Sequence, residues 1–293
     1  MSISKEFDLA IKLAETKTID GEYIVGERKY NTYMTNEEWE FFKSKMSKDA
    51  RTEYGAGGGG ELEEKNGHPP KMACYGSSSR MIYNFSRERK DFHYEKKLPT
   101  TIGGTANLDG FLEEDNRYIF VEAKCHEPYS TKSTAVSKAY EKLYNFINSQ
   151  MMGNVEITTA PSKCGRYLNV EYFSDGEKLE HFDMKQMICH LLEIATGVLK
   201  GKLDKKQINF IYLLYDPTDL ELNSETKEII DSIYERTCYE CNLVDFASLL
   251  RVIFAFLKNE KYGDVISDDE IDDIVCKFAF VLASHEFYPT LLK

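Results

Sequence analysis

The stretch Asn107-Leu-Asp-Gly-Phe-Leu-Glu-Glu-Asp-Asn-Arg-Tyr-Ile-Phe-Val-Glu-Ala-Lys124 constrains this chain more than any other. Its two alternating runs meet at Asp115-Asn116, and both residue types tolerate positive φ, so a two-residue β-turn fits there. With that turn Glu114 faces Arg117, Asp109 faces Glu122 and Asn107 faces Lys124. Directly opposed residues bring their Cβ atoms to about 5 Å, and side chains two residues apart share a face. The hairpin therefore gathers Asp109, Glu122 and Lys124 on one face. Leu108, Leu112, Ile119, Val121 and Ala123 form the reverse, apolar face.

Two carboxylates that close repel each other unless a cation sits between them. Ligation by carboxylate, backbone carbonyl and water suits Mg²⁺, or Mn²⁺, better than zinc. Such an ion activates a bound water and neutralises charge on a phosphate oxygen. A merely solvated charged face is the weaker reading, because Tyr118-Ile-Phe-Val121 implies a buried strand, where unpaired charge is costly.

The pattern resembles the PD-(D/E)XK nuclease superfamily, the restriction-endonuclease-like fold, whose motif is an aspartate at the start of one strand and Glu-x-Lys on the next. The resemblance implies that Asp109 and Glu122 bind the metal, with the backbone carbonyl of Ala123 as a further ligand, and that Lys124 is catalytic. Leu108 stands where the family has proline. An α/β fold is implied: a core of helix, three-stranded antiparallel meander, helix and further strand, with additional peripheral helices. The chain offers those parts in order: a helix over 77–88, a strand over 92–98 stopped by Pro99, the hairpin, and a helix over 132–151 crossing behind the sheet. An irregular insertion over 153–176, a helix over 183–200 and a closing strand over 208–215 follow. Some branches place a glutamine near the site, where this chain has Gln186, although an ordinary helix hydrogen bond is the favoured reading of that residue. Many members add an acid, for which Glu61 is the candidate and Glu88 the alternative.

The glycine run before Glu61 lacks a following Gly-Lys-Ser/Thr and reads as a flexible connection rather than a phosphate loop. Seven scattered cysteines suit reduced thiols, and Cys238-Tyr-Glu-Cys241 is a lone C-x-x-C, so no zinc site is expected. Cys125 and His126 are adjacent on an extended segment, which points them to opposite faces and denies them a nucleophile-base pairing. No apolar run is long enough to span a membrane and the first residues lack a secretory core, so a cytoplasmic protein without membrane contact is expected.

A formal charge of −12 argues against broad coating of DNA and leaves room for a small basic groove, with Arg80, Arg87, Lys96 and Lys97 as candidate contacts. Acid concentrates elsewhere, as at Ser267-Asp-Asp-Glu-Ile-Asp-Asp273, a capping-box signature. The organisation expected is an accessory helical segment over 1–60, a core over 61–220 and packed helices over 221–293. Helices are read at 5–15, 36–46, 224–239, 244–257 and 271–285, with Trp39, Phe41 and Phe42 as core anchors. The function expected is Mg²⁺-dependent hydrolysis of DNA phosphodiesters, endonuclease before exonuclease. The alternative is a non-catalytic nucleic-acid-binding or assembly protein that keeps the fold. A homodimer is compatible with cutting two strands, since a second cut needs a second site.

Overall fold

In the computed structural model, which describes residues 2–57, 60–103, 107–130, 135–163 and 165–285, the N-terminal residues build one wall of the molecule. They form helix α1 (Ile3–Thr16), the hairpin of β1 (Tyr23–Val25) and β2 (Arg28–Tyr30), and helices α2 (Asn36–Lys45) and α3 (Lys48–Gly57). A capping box starts α2: Thr35 accepts the Glu38 N–H, and the Glu38 carboxylate accepts the Thr35 N–H. Expected to be accessory, this segment instead shares a core with the rest, since Phe7, Ile11, Trp39 and Tyr54 are all buried against helix α4 (Ser78–Ser86) and one face of the sheet. Trp39 and Phe42 stack as anchors. Phe41, one step off the buried stripe, is 66% exposed and anchors nothing.

After α4 comes an antiparallel meander of β3 (Phe92–Lys97), β4 (Asn107–Glu113) and β5 (Arg117–Lys124). The hairpin takes the expected register, with Gly110 opposite Val121, Glu113 opposite Tyr118, and the Glu114 N–H on the Arg117 carbonyl at 2.9 Å. At Asp109 the backbone ladder gives way to a side chain, whose Oδ2 accepts the Ala123 N–H at 2.7 Å. Pairing of β3 with β4 also skips Glu95, which has a φ of 51°. Beyond this double interruption Leu108 joins the cluster on the opposite side of the sheet from Leu112, Ile119, Val121 and Ala123.

The chain then departs from the expected order of elements. Of the helix read over 132–151, residues 132–134 lie outside the described residues and the rest is β6 (Ala135–Ser137) followed by α5 (Glu141–Gln150), so Val136 is a strand residue. Residues read as an irregular insertion form a second sheet of β7 (Glu156–Pro161), β8 (Tyr167–Ser174) and β9 (Glu177–Lys178) with β6. The signal was there: Leu168, Val170 and Tyr172 alternate with Tyr167, Asn169 and Glu171 at the strand period. Helix α6 (Met184–Leu199) follows, with 13 of its 16 residues buried, and leads into β10 (Gln207–Leu214). That strand runs parallel to β5 and sets Tyr212 beside Glu122 and Leu214 beside Lys124.

Helices α7 (Ser224–Asn242), α8 (Phe246–Leu257) and α9 (Asp268–Cys276) come next, the last begun by the expected Ser267–Glu270 capping box. The helix read over 271–285 ends at Cys276, and β11 (Phe278–Ser284) lies parallel to β10. Phe278-Ala-Phe-Val-Leu-Ala283 suits helix or buried strand by pattern alone, and the waiting edge of β10 settles it. The boundary expected near residue 220 therefore cuts through the main sheet. The result is an α/β protein with a mixed five-stranded sheet, in order β11-β10-β5-β4-β3. Helices α5, α6 and α8 with the second sheet cover one face, and α4 with the N-terminal elements covers the other. Among the described residues, no helix is long and apolar enough to cross a membrane.

Candidate active site

Where β5 outruns its pairing with β4, a cleft of about 360 Å³ opens, lined by Asp109, Glu122, Ala123 and Lys124 together with Glu61, Glu95 and Gln186. The hairpin brings the first four there. Gln186 arrives on the first turn of α6, whose N-cap Asp183 accepts the Gln186 N–H at 3.0 Å. The loop before that cap is pinned by the buried Glu240 carboxylate, which accepts the N–H groups of Glu180, His181 and Phe182 at 3.1, 2.8 and 2.7 Å. Glu61 stands beyond the glycine run, held by Lys71 Nζ at 2.9 Å and Ser79 Oγ at 3.0 Å. Glu95 folds back over the end of α3, where a Cβ on Gly57 would come within 2.8 Å of its Oε2. A larger residue at 57 would push the Glu95 side chain aside.

The deep part of the cleft is a relay of buried charges. Lys124 Nζ lies 2.6 Å from Glu122 Oε1 and donates to Gln186 Oε1 at 2.7 Å. The second Glu122 oxygen meets His190 Nε2 at 2.9 Å, and His190 Nδ1 stands 4.0 Å from Glu193. Burial works to raise the Glu122 pKa, but Lys124 and His190 together bring it below the usual range. Against the same burial, Glu122 lifts Lys124 well above its usual value and His190 to about 9. Glu122, Lys124 and His190 are therefore charged near neutrality.

Nearer the opening the balance reverses. Burial, then repulsion from Glu122, raises Asp109 well above the usual carboxylate range. Asp109 is only half-buried as a residue because it lines the cleft, yet protein surrounds its carboxyl closely enough for desolvation to lead. Burial, then Glu61, pushes Glu95 up to about 7, and the Asn107 amide at 2.9 Å offsets only part of that. Three carboxylates line this side, Glu61 paired with Lys71 and Asp109 drawn down in part by Lys124. Glu122 Oε1 is buried against Lys124 Nζ and faces the same cleft as the three carboxylates. Hard oxygen donors in excess of positive charge fit a divalent cation such as Mg²⁺ or Mn²⁺.

Of the residues singled out from sequence, Asp109, Glu122, Ala123, Lys124, Glu61 and Gln186 meet in this cleft. Glu88 does not, its side chain being 93% exposed at the far end of α4. None of the four candidate DNA contacts lines the cleft either. Arg80 is buried, ion-paired with Glu15 and stacked 4.8 Å from the Tyr75 ring, because its position falls on the buried face of α4. Arg87 lies by Glu88, Lys96 sits over the Phe111 ring at 4.5 Å, and Lys97 donates to the Ala56 carbonyl at 2.7 Å. The larger cavity of about 820 Å³ that Arg80 and Arg87 do border gathers none of the hairpin's charged residues.

Sequence reasoning missed Glu95, which stands next to Lys96 and Lys97, the two strand lysines read as DNA contacts. It also gave no role to His190 or to Glu127, which accepts from Ser78 Oγ at 2.7 Å and the Cys125 N–H at 2.8 Å. Comparison with known proteins returns no matching family model, no matching curated protein and no matching solved structure.

Proposed function

We propose that the protein is a metal-dependent nuclease that hydrolyses DNA phosphodiester bonds, built on a restriction-endonuclease-like core. The observation that carries this reading is the meeting of Asp109, Glu122 and Lys124 across a hairpin of the expected register, in a cleft to which Glu61 and Gln186 also come. The order of helix, meander, helix and strand through α4, β3 to β5, α6 and β10 supports the same assignment.

Asp109, Glu122 and the Ala123 carbonyl would hold the ion, with Glu61 and Glu95 in reach of its water shell. Bound there, Mg²⁺ or Mn²⁺ supplies an activated water and neutralises charge on the phosphate. Lys124, ionised and oriented by Gln186, stabilises the charge that grows on the phosphoryl oxygens. His190 keeps Glu122 ionised from behind. The N-terminal turn of α4, whose Ser77, Ser78 and Ser79 line the cleft, offers the N–H groups and dipole that favour a phosphate.

Incubation with plasmid, linear duplex, single-stranded and branched DNA in Mg²⁺ or Mn²⁺ tests the proposal. Cleavage of one of these by the native protein, lost in Lys124→Ala while the variant still binds Mg²⁺, is the expected result. Equal cleavage by Lys124→Ala overturns it.

One observation favours a second reading, a nucleic-acid-binding or assembly protein without catalysis. Glu122 is already flanked by two protein cations, a state that is stable without any ion. Binding of DNA with no cleavage under any of those conditions would decide for that reading.

A further inference from the structure

A second group of ligand-type side chains stands at the border of the cleft and takes no part in the nuclease proposal. Asp8 of α1, Cys74 and His126 present one ligand atom each, all within 4.8 Å of one another. Asp8 Oδ1 lies 3.0 Å from His126 Nδ1, and Asp8 Oδ2 lies 3.5 Å from Cys74 Sγ. Tetrahedral zinc, with bonds of about 2.0 Å to oxygen or nitrogen and about 2.3 Å to sulfur, sets ligands about 3.3 Å apart for O and N and about 3.5 Å apart for O and S. The two close approaches are made by different oxygens of the Asp8 carboxylate. With one ligand atom from each residue the three lie within 4.8 Å of one another, so ligation draws them closer together.

The backbone is shaped around these groups. A Cβ on residue 76 would stand 1.7 Å from Asp8 Oδ1 and 3.0 Å from His126 Nδ1, so glycine alone lets the carboxylate and the imidazole close up here. Asp8 and Cys74 are buried, while His126 is half-buried. Cys74 and His126 line the cleft beside Tyr33, which leaves a fourth coordination position for water or for a ligand entering from that side. Thiolate, imidazole and carboxylate form a softer set than the all-oxygen cluster around Asp109, and that difference sorts zinc from magnesium.

We propose that Asp8, Cys74 and His126 form a zinc site separate from the Asp109 cluster, with three protein ligands and one open position. Zinc bound there displaces to solvent both the Cys74 thiol proton and the proton that His126 Nδ1 holds against Asp8, and ties α1 to the segment before α4 and to the turn after β5. Sequence spacing alone directed attention to the C-x-x-C of α7 instead, because Cys74 and His126 lie 66 and 118 positions from Asp8 along the chain.

Titration of metal-free protein with Co²⁺ as a spectroscopic stand-in, followed by Zn²⁺ competition, tests the site. One equivalent should produce tetrahedral ligand-field bands and a thiolate-to-cobalt charge-transfer band, which Zn²⁺ then abolishes. Cys74→Ser should remove the charge-transfer band, and His126→Gln should weaken Co²⁺ binding more than about 10-fold. Asp109→Asn should leave both bands unchanged, which keeps this outcome apart from that of the nuclease assay. Absence of a charge-transfer band in the native protein, or its persistence in Cys74→Ser, overturns the proposal. If Cys74→Ser does not fold, Asp8→Asn and the half-exposed His126→Gln carry the test: unaltered Co²⁺ spectra in both overturn it.

Discussion

The two walls of the cleft use the same chemical groups in opposite proportion. On the inner wall a single carboxylate, Glu122, lies between Lys124 and His190, all three nearly inaccessible to solvent. On the outer wall stand Asp109, Glu61 and Glu95, with Lys71 paired to Glu61. Burial is costly for every one of these groups; the inner wall sets two cations against one carboxylate, whereas the outer wall meets three carboxylates with hydrogen bonds and the single Lys71–Glu61 ion pair. The lesson is one of division of labour. The inner wall is rigid and charged before any ion arrives, and the outer wall gains from the ion.

The largest effect expected belongs to the inner wall. Replacing His190 by leucine leaves Glu122 with Lys124 alone and removes the imidazole beside Glu193, which should destabilise the protein by about 3–5 kcal/mol in urea denaturation. A loss under about 1 kcal/mol would show that the inner wall is not held by this relay. Next comes Lys124→Ala, expected to lower cleavage by roughly 10²- to 10³-fold, with Mg²⁺ affinity kept. Asp109→Asn should do the reverse, weakening Mg²⁺ binding as seen by calorimetry.

A pH series separates the walls directly. Glu95 in the folded protein titrates near 7, above its ordinary range, so the unfolded chain ionises first and the metal-free fold loses stability as pH rises through about 4.5 to 7. His190 binds its proton up to about 9, so its contribution is full below about 6.5 and is lost as pH climbs to about 9. Both slopes run the same way. The melting temperature of the metal-free protein should fall from pH 5 to 9, Glu95→Gln should flatten the lower half by about 2 kcal/mol, and Mg²⁺ should restore most at pH 7 and above. A melting temperature that rises over that range would break the assignment of the outer wall. The smallest effect expected is that of Gln186→Leu, which removes one hydrogen bond from Lys124 and should cost about 1 kcal/mol, read as a few-fold slower cleavage.

How much of this was legible in the sequence follows the range of the interactions. The hairpin register is local, fixed by two turn residues and a period-two pattern, and it appears as read from Gly110 to Glu113; the break at Asp109, which turns Leu108 to the other face, has no such local signal. Glu61 and Gln186 were reachable through the family resemblance. Glu95 was not, because its direction depends on a positive φ and on the glycine at the end of α3, neither of which has a pattern of its own. Arg80 shows the converse error: a basic residue near the motif in sequence turned inward, since helical rotation rather than proximity decides which face it takes. The Asp8, Cys74 and His126 group rests entirely on tertiary contact. Strand β11 was misread because its apolar run carries no periodicity of either kind, so only its neighbour defines it.

That last strand also sets the order in which the protein can be completed. Strand β10 leaves the ribosome as an open parallel edge and waits while α7, α8 and α9 are made, and only then does β11 arrive to cover it. Closing the sheet over so long an intervening stretch is a slow step, and an uncovered edge rich in Phe210, Ile211 and Tyr212 is a template for pairing between nascent chains. Chains halted before Phe278 should therefore aggregate through β10, and the final strand acts as a seal applied after the helices are in place.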